Sequence, residues 1–188
     1  MGAPARRLGA VSPPALADRS TAILCALATA GIVLQQNLRT PLHVPGHRGL
    51  LWLSLLVAVR LVAGRAGPTL ATGVLSGGLV AGLGLAPDGP LGAVPYVAAA
   101  AALDATALLP WTRERSWPVV AAAAPIHLVA LLVPVSRSLL VGVGPVALAN
   151  GLAPVALLHL CFGAGAGLAG LGLAALWVRR PGRPRPAR

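Results

Sequence analysis

The sequence contains an unbroken stretch of 41 residues, 138–178, without a single Asp, Glu, Lys or Arg. A helix that crosses the hydrocarbon core of a bilayer needs about 20 predominantly apolar residues. In a soluble domain about a quarter of the residues are charged, so an uncharged run of this length is not expected in a soluble protein. The stretch indicates a chain that folds within a lipid bilayer.

The composition of the whole chain agrees with this interpretation. Hydrophobic residues make up 56% and charged residues 10%, with a mean hydropathy of +0.80. Aromatic residues are only 3%, so Ala, Leu, Val and Gly carry the apolarity. Such small side chains allow membrane helices to approach closely. We predict an all-α integral membrane protein and exclude a soluble globule and a disordered chain.

Runs that are apolar over most of their length predict six spans. They cover 20–38, 49–64, 66–87, 91–110, 116–136 and the long stretch 138–178. The long stretch is open to two interpretations, because it has room for one span or for two. The pair Asn150-Gly151 favours a break there, with a short re-entrant or interfacial piece at about 138–149 followed by one long helix.

The arginines decide between six and seven spans. All 15 basic residues are Arg, and cytoplasmic loops of membrane proteins carry the excess of positive charge. Six spans with a cytoplasmic N-terminus place eleven arginines inside and three outside, whereas seven spans place six inside and eight outside. We therefore predict a multi-pass plasma-membrane protein with a cytoplasmic tail at 1–19, a membrane domain at 20–178 and a basic cytoplasmic tail at 179–188.

Two ionisable residues fall inside predicted spans, where an isolated charge is costly. Arg60 lies near the cytoplasmic end of span 2, and Asp104 lies at a similar depth in span 4. We predict a structural ion pair between them. The alternatives are that Arg60 extends its charged group to the interface, or that it contacts a partner protein.

The histidines and cysteines do not form a metal or catalytic motif. His43 and His47 are four residues apart, but Pro41, Pro45 and Gly46 predict a loop around them, so the spacing is not that of a helical metal site. HExxH and GxSxG motifs are absent, and the two cysteines lie in apolar runs. We expect no metal, no cofactor and no enzyme activity. The arginines lie in short loops and tails, so we also expect no nucleic-acid binding.

Several polar groups at the predicted outer ends of the spans have two interpretations. Asn37, at the end of span 1, and Asn150 are either helix-end amides that face water or part of an outward-facing pocket. Trp52 and Tyr96, at the outer starts of spans 2 and 4, are explained by interfacial anchoring, with a pocket role as the alternative. His127 lies in the middle of span 5, and His159 lies in the outer part of span 6.

Small residues recur at helical spacing in three of the spans. Ala22, Ala26 and Ala30 form a stripe on span 1 that is either internal packing or a groove for another helix. Three glycine pairs spaced by four predict close helix packing: Gly73 with Gly77, Gly78 with Gly82, and Gly163 with Gly167. The chain has no Walker A motif, so it has no ATPase site of that type.

These features together resemble the substrate-binding S components of energy-coupling factor (ECF) transporters. The resemblance covers about 20–178 and rests on the size, the six spans, the two cytoplasmic termini and the Ala22-x-x-x-Ala26 pattern. The segments 43–49 (HVPGHRG) and 159–163 (HLCFG) are also similar to stretches in uncharacterised members. The resemblance implies a six-transmembrane-helix bundle of ECF S-component type.

The family resemblance also implies a function and a set of residues. S components capture a vitamin, a vitamin precursor or a metal ion from outside, then topple in the membrane when docked to a coupling protein driven by two cytoplasmic ATPases. Here the loop 39–48 would cap the pocket, and Ala22, Ala26 and Ala30 would face the coupling protein. The residues expected to contact the small-molecule substrate are Asn37, His43, His47, Tyr96, His127, Asn150 and His159.

The chain departs from the nickel and cobalt members, which begin with a Met-His pair that ligates metal. It begins Met1-Gly2-Ala3 instead, and its N-terminus is predicted inside. A small polar organic substrate is therefore expected. Two other functions remain open from the sequence: a structural or assembly bundle without ligand, and a membrane enzyme that brings His127 and His159 together near an acid or a metal.

Overall fold

The computed structural model describes residues 14–37, 44–86, 88–112 and 115–179. All regular structure in these ranges is helical, with no strand. The α-helices are α1 Pro14–Asn37, α2 His47–Ala63, α3 Pro68–Gly82, α4 Val94–Ala105, α5 Trp117–Ile126, α6 Leu132–Leu140 and α7 Pro145–Val178. The 3-10 turn His127–Leu131 joins α5 to α6, so the seven helices make six helical segments, the number that the sequence predicts.

Proline and glycine set the ends of these segments. Pro68, Pro95, Pro118 and Pro145 occupy the first turns of α3, α4, α5 and α7, where a missing N–H costs nothing. Pro125 is different, because it lies inside α5 and cannot donate a helical hydrogen bond. The chain tightens into the 3-10 turn directly after it. His127 is the first residue of this turn, so the turn fixes the position of His127 in the bundle.

The predicted break at Asn150-Gly151 is wrong. α7 runs without interruption from Pro145 through both residues. The break lies earlier, after Leu140, where Gly142 adopts a φ of +82° and Gly144 is extended before Pro145. A residue that precedes proline avoids the helical conformation, and a left-handed residue favours glycine. These two constraints outweigh the weaker turn preference of Asn-Gly.

The bundle is built around α2, which packs most extensively on α7 and also contacts α1 and α3. Leu53, Leu56 and Val57 of α2 are fully buried and form the centre of the core with Leu103 of α4. Glycines bring the outer helices close. A Cβ on Gly73 of α3 would lie 2.4 Å from Ala100 Cβ of α4. The same holds between α7 and α5, where a Cβ on Gly167 would lie 2.3 Å from the Val120 carbonyl oxygen.

The outside of the bundle is apolar. Within the described ranges, three segments are long and apolar enough to cross a membrane: Gly89–Leu108, Trp117–Leu140 and Pro145–Val178. Large hydrophobic side chains are exposed on several helices, including Leu27, Leu75, Leu157 and Leu168. Polar side chains such as Arg60 and Asp104 are instead buried. Such a distribution is typical of helices surrounded by lipid.

Candidate functional site

A cavity of about 200 Å³ lies at the end of the bundle where α1 ends and α2 and α4 begin. Six segments of the chain line it: the C-terminal turn of α1, the first turns of α2, the residues just before α4, the start of α4, the His127–Leu131 turn and the facing side of α7. The lining residues are Gln36, Gly46, Arg48, Gly49, Trp52, Ala86, Asp88, Gly92, Pro95, Tyr96, His127, Ala130 and His159.

His127 lines this cavity, and its side chain is fully buried. Its Nδ1 lies 2.7 Å from the carbonyl oxygen of His159. A carbonyl oxygen can only accept a hydrogen bond, so Nδ1 carries the proton and donates. Nε2 is buried and has no hydrogen-bond partner among the described residues. In the neutral ring, Nε2 is therefore an unused acceptor.

Gly49 makes room for this imidazole. A Cβ at Gly49 would lie 1.6 Å from His127 Nε2, far inside any allowed contact distance. The helix α2 thus presents bare backbone to the unpaired nitrogen. No other residue type fits at position 49 while His127 keeps its place.

Two aromatic rings form a wall beside His127. The ring centroids of Trp52 and Tyr96 are 5.4 Å apart, and those of Trp52 and His127 are 5.7 Å apart, both in edge-to-face arrangements. Gln36 Nε2 donates to the hydroxyl oxygen of Tyr96 at 2.7 Å. The phenol therefore keeps its own proton available for donation. Trp52 and Tyr96 are both more than nine-tenths buried.

His159 lies next to His127, with ring centroids 4.9 Å apart and a tilt of 37°. Its Nδ1 donates to the Val155 carbonyl oxygen at 2.9 Å, one turn back along α7. Both Nδ1 atoms are thus fixed by backbone carbonyls. Neither ring is hydrogen-bonded to a carboxylate within the described parts of the chain, and no cluster of three or more metal-ligating side chains exists there.

Charged groups lie at the mouth of the cavity. Asp88 Oδ1 forms an ion pair with Arg137 Nη1 at 2.5 Å, and both side chains are partly exposed. Arg48 is exposed and forms no ion pair with any described residue, although its backbone carbonyl accepts a hydrogen bond from Gln35 Nε2 at 2.6 Å. With two cations and one carboxylate, the mouth carries a net positive charge.

The structure brings together three of the seven residues that the sequence nominated for substrate contact: Tyr96, His127 and His159. Three others do not line the cavity. Asn37 is exposed and its Nδ2 donates to the Val33 carbonyl oxygen, Asn150 is exposed on α7, and His47 is bonded through Nδ1 to the Val44 carbonyl oxygen. The seventh, His43, lies outside the described residues, as does the first half of the predicted cap, 39–43.

The residues that the sequence nominated for substrate contact do not include four that line the cavity: Gln36, Arg48, Gly49 and Trp52. The signal that could have found three of them is their helical spacing. Positions 48, 49 and 52 lie three and four residues apart, so they share one face of α2. The burial of Trp52 within the cavity favours the pocket role over interfacial anchoring.

Arg60 and Asp104 lie at the other end of the bundle, within one polar cluster. Arg60 Nε donates to the Leu103 carbonyl oxygen at 3.2 Å and to Thr106 Oγ1 at 3.3 Å. Asp104 Oδ2 accepts from the backbone N–H groups of Gly67 and Leu70, at 2.7 and 2.9 Å, at the start of α3.

The predicted direct ion pair is not among the ion pairs of the described residues. Each charged group instead forms hydrogen bonds with backbone atoms at the end of a helix. Arg60 binds at the C-terminus of α4, and Asp104 binds at the N-terminus of α3, where the helix dipole favours a negative charge. The two side chains thereby tie α2, α3 and α4 together.

Ala22, Ala26 and Ala30 are all exposed on α1. The opposite side of the same helix, with Ala28 and Ile32, is buried against the bundle. The alanine stripe is therefore on the free face of α1 rather than in its internal packing. A separate apolar cleft of about 630 Å³ lies between α1, α2 and α7, lined mainly by Leu, Ala and Gly.

Comparison with protein-family models, with curated proteins and with solved structures finds no match to this chain. The interpretation of the site therefore depends on its geometry and on the sequence.

Proposed function

We propose that this chain is the substrate-capture subunit of an ECF-type uptake transporter in the plasma membrane. It binds a small molecule from outside and docks to a separate coupling protein that two cytoplasmic ATPases drive. The observation that carries this proposal is the cavity at one end of the bundle, which brings Tyr96, His127 and His159 together with Gln36 and Arg48. Concave sites that combine aromatic rings with a few polar side chains are the usual form of a small-molecule binding site.

The same observation weighs against the second candidate, a structural or assembly bundle without ligand. Such a bundle gains stability by filling its interior with apolar side chains. Here the end of the bundle instead keeps a cavity of about 200 Å³, and the buried His127 Nε2 has no hydrogen-bond partner among the described residues. Both features lower the stability of the protein, and a ligand-capture function accounts for the cavity.

The arginine distribution supports the orientation. The cavity mouth contains Arg48 and Arg137, two of the three arginines assigned to the outside, whereas the Arg60–Asp104 cluster lies at the end assigned to the cytoplasm. A substrate would then enter from outside at the end of the bundle where α2 begins. The exposed belt of leucines would face lipid.

The exposed alanine stripe supports the docking role. Ala22, Ala26 and Ala30 leave a shallow groove along the free face of α1, which suits the close approach of a partner helix. The chain lacks a Walker A motif, so the energy for transport would come from the partner ATPases.

The proposal is tested by co-expressing the chain with an ECF coupling protein and its two ATPases and purifying the complex through a tag on this chain. We expect co-purification to be lost in Ala26→Trp, because the indole fills the groove. The matched control is Leu75→Trp, an exposed apolar position on α3, which we expect to co-purify like the unaltered chain.

Two results would contradict the proposal. One is undiminished co-purification of Ala26→Trp, which would remove the docking role. The other is the finding that a tag on the C-terminal tail is accessible from the exterior of intact cells, which would place the cavity on the wrong side for uptake.

A further inference from the structure

The apolar cleft of about 630 Å³ between α1, α2 and α7 has no part in the proposed capture of a substrate. α2 packs on both of the other helices and contributes Leu51 and Leu55 to the lining, whereas Gly31 belongs to α1 and Gly172 to α7. A Cβ on Gly172 would meet nothing within 4 Å, so α7 is not packed against protein at this point. The cleft has room for a molecule that the chain itself does not supply.

The cleft is closed at the end of the bundle that is assigned to the cytoplasm. Trp177 Nε1 donates to Ser20 Oγ at 3.2 Å, and this contact joins α7 to α1 directly beyond Leu176, which lines the cleft. At the other end, α1 lines the cleft with Gln35, two residues before the helix ends. A long apolar molecule therefore enters from the side assigned to the outside and extends toward Trp177.

The surroundings of the cleft favour hydrocarbon inside it. Leu34, Leu173 and Leu176 line the cleft and are also exposed on the outside of the bundle, so the cleft is continuous with the surface that would face lipid. No described residue that lines it is charged. Water gains too few polar partners in such a space, and an empty space forfeits dispersion contacts. A lipid acyl chain makes apolar contacts with all three helices.

A cation lies at the outer end of the cleft. Gln35 Nε2 donates to the backbone carbonyl oxygen of Arg48 at 2.6 Å, and Leu51, one turn after Arg48 along α2, lines the cleft. Arg48 is exposed and forms no ion pair with any described residue. α2 begins at His47 without a side-chain cap, so the positive end of its dipole adds to this charge. The outer end of the cleft therefore favours an anionic group.

We propose that the cleft binds one phospholipid of the outer leaflet, with an acyl chain between α1 and α7 and the phosphate beside Arg48. The leaflet follows from the proposed orientation of the chain. Leu55 lies seven residues after Arg48 and therefore about 10 Å further along the α2 axis, at the depth of the hydrocarbon when Arg48 lies among the headgroups. The phosphate and the acyl chain thus meet the two matching parts of one site.

The test uses the full-length chain, purified in detergent and depleted of lipid by washing. Dioleoyl phosphatidylglycerol has both the phosphate and the acyl chains. Dioleoylglycerol has the chains without the phosphate, and glycerol 3-phosphate has the phosphate without the chains. The number of bound molecules and the dissociation constants are measured by native mass spectrometry.

We expect one phosphatidylglycerol per chain, bound more tightly than either of the other two probes. Gly172→Leu and Ala169→Leu each add a side chain to the cleft from α7, and both are expected to abolish this binding. Two variants are used so that a folding defect in one does not decide the result. The matched control is Gly78→Leu, at an exposed helical position on α3 where a Cβ also meets nothing within 4 Å, and we expect it to bind like the unaltered chain.

Arg48→Gln tests the position of the phosphate. We expect it to weaken the binding of phosphatidylglycerol about fivefold, the usual effect of one basic residue on an anionic lipid, and to leave the binding of dioleoylglycerol unchanged. Equal affinity for these two lipids in the unaltered chain, or a preference that persists in Arg48→Gln, would overturn the assignment of the phosphate to Arg48. Binding of glycerol 3-phosphate as tight as that of the lipid would show a site for free phosphate instead.

Undiminished phosphatidylglycerol binding in both cleft variants would overturn the site, as would an equal loss in Gly78→Leu. The other candidate occupant is a helix of the coupling protein. If the cleft variants keep the lipid but no longer co-purify with the coupling protein, that helix occupies the cleft and the lipid proposal is wrong.

Discussion

Replacement of Gly49 by Ala tests the central contact of the site, the approach of α2 to His127. The added Cβ would lie 1.6 Å from His127 Nε2 and 2.5 Å from Cε1. The imidazole is fully buried between Trp52 and His159 and cannot swing into solvent. Either the ring leaves its position or α2 moves away from it.

Both responses cost stability. Displacing the ring breaks the 2.7 Å bond from Nδ1 to the His159 carbonyl oxygen and leaves a buried donor and acceptor unpaired, about 1–3 kcal/mol. Overpacking of a dense interior adds about 1–3 kcal/mol. The higher helix propensity of Ala relative to Gly offsets about 1 kcal/mol of this loss in stability. We expect the free energy of unfolding to fall by about 1–5 kcal/mol.

The measurement is unfolding of the purified chain in mixed detergent micelles, followed by circular dichroism. Gly78→Ala is the matched control, because Gly78 also lies inside a helix and a Cβ there meets nothing within 4 Å. The control is expected to be neutral or stabilised by up to about 1 kcal/mol.

A double-mutant cycle with His127→Ala decides whether the clash is the cause. Removal of the imidazole removes the atom that the new Cβ meets, so Gly49→Ala should cost almost nothing in the His127→Ala background. Additive losses from the two changes would refute the reasoning, because they would show that the effect of Gly49→Ala does not depend on His127.

Two further predictions concern charged groups away from the cavity floor. Asp104→Ala removes the carboxylate that accepts from Gly67 N and Leu70 N. We expect a loss of about 2 kcal/mol or more in the same unfolding assay, since two hydrogen bonds to a charged acceptor are lost at the start of α3. Unchanged stability would contradict this role. Asp88→Asn breaks the exposed ion pair with Arg137. We expect the free energy of unfolding to fall by at most about 1 kcal/mol, and the loss to vanish at high salt. A large loss that does not depend on salt would be inconsistent with an exposed pair.

The six helical segments could be predicted from the sequence because each follows from a long run that is apolar over most of its length, a property of the chain alone. The boundary after Leu140 could not be predicted as easily. It depends on competition between two weak local signals, Asn150-Gly151 and the Gly142-to-Pro145 segment. α7 passes through the first without interruption, and proline fixes the second as the break.

The glycine pairs show the same limit at the level of packing. Two of the three predicted pairs lie at close helix contacts: Gly73 with Gly77 packs against the start of α4 and the turn before it, and Gly163 with Gly167 faces α5. A Cβ added to Gly78 or Gly82 would meet nothing within 4 Å, so this pair faces outward instead. A spacing of four marks a face of a helix, but it does not say whether another helix covers that face.

The site could be predicted only where a polar residue stands out within an apolar run, as Tyr96, His127 and His159 do. Gly49 does not stand out among 23 glycines, and its importance follows only from a partner 78 positions away along the chain. A bundle selected for stability alone would place a small apolar side chain at 49 and an apolar residue at 127. Retaining a bare backbone opposite an unpaired nitrogen lowers stability, and such a cost is typical of sites maintained for binding. The pairing of the two residues, rather than either one, is therefore the strongest mark of function in this molecule.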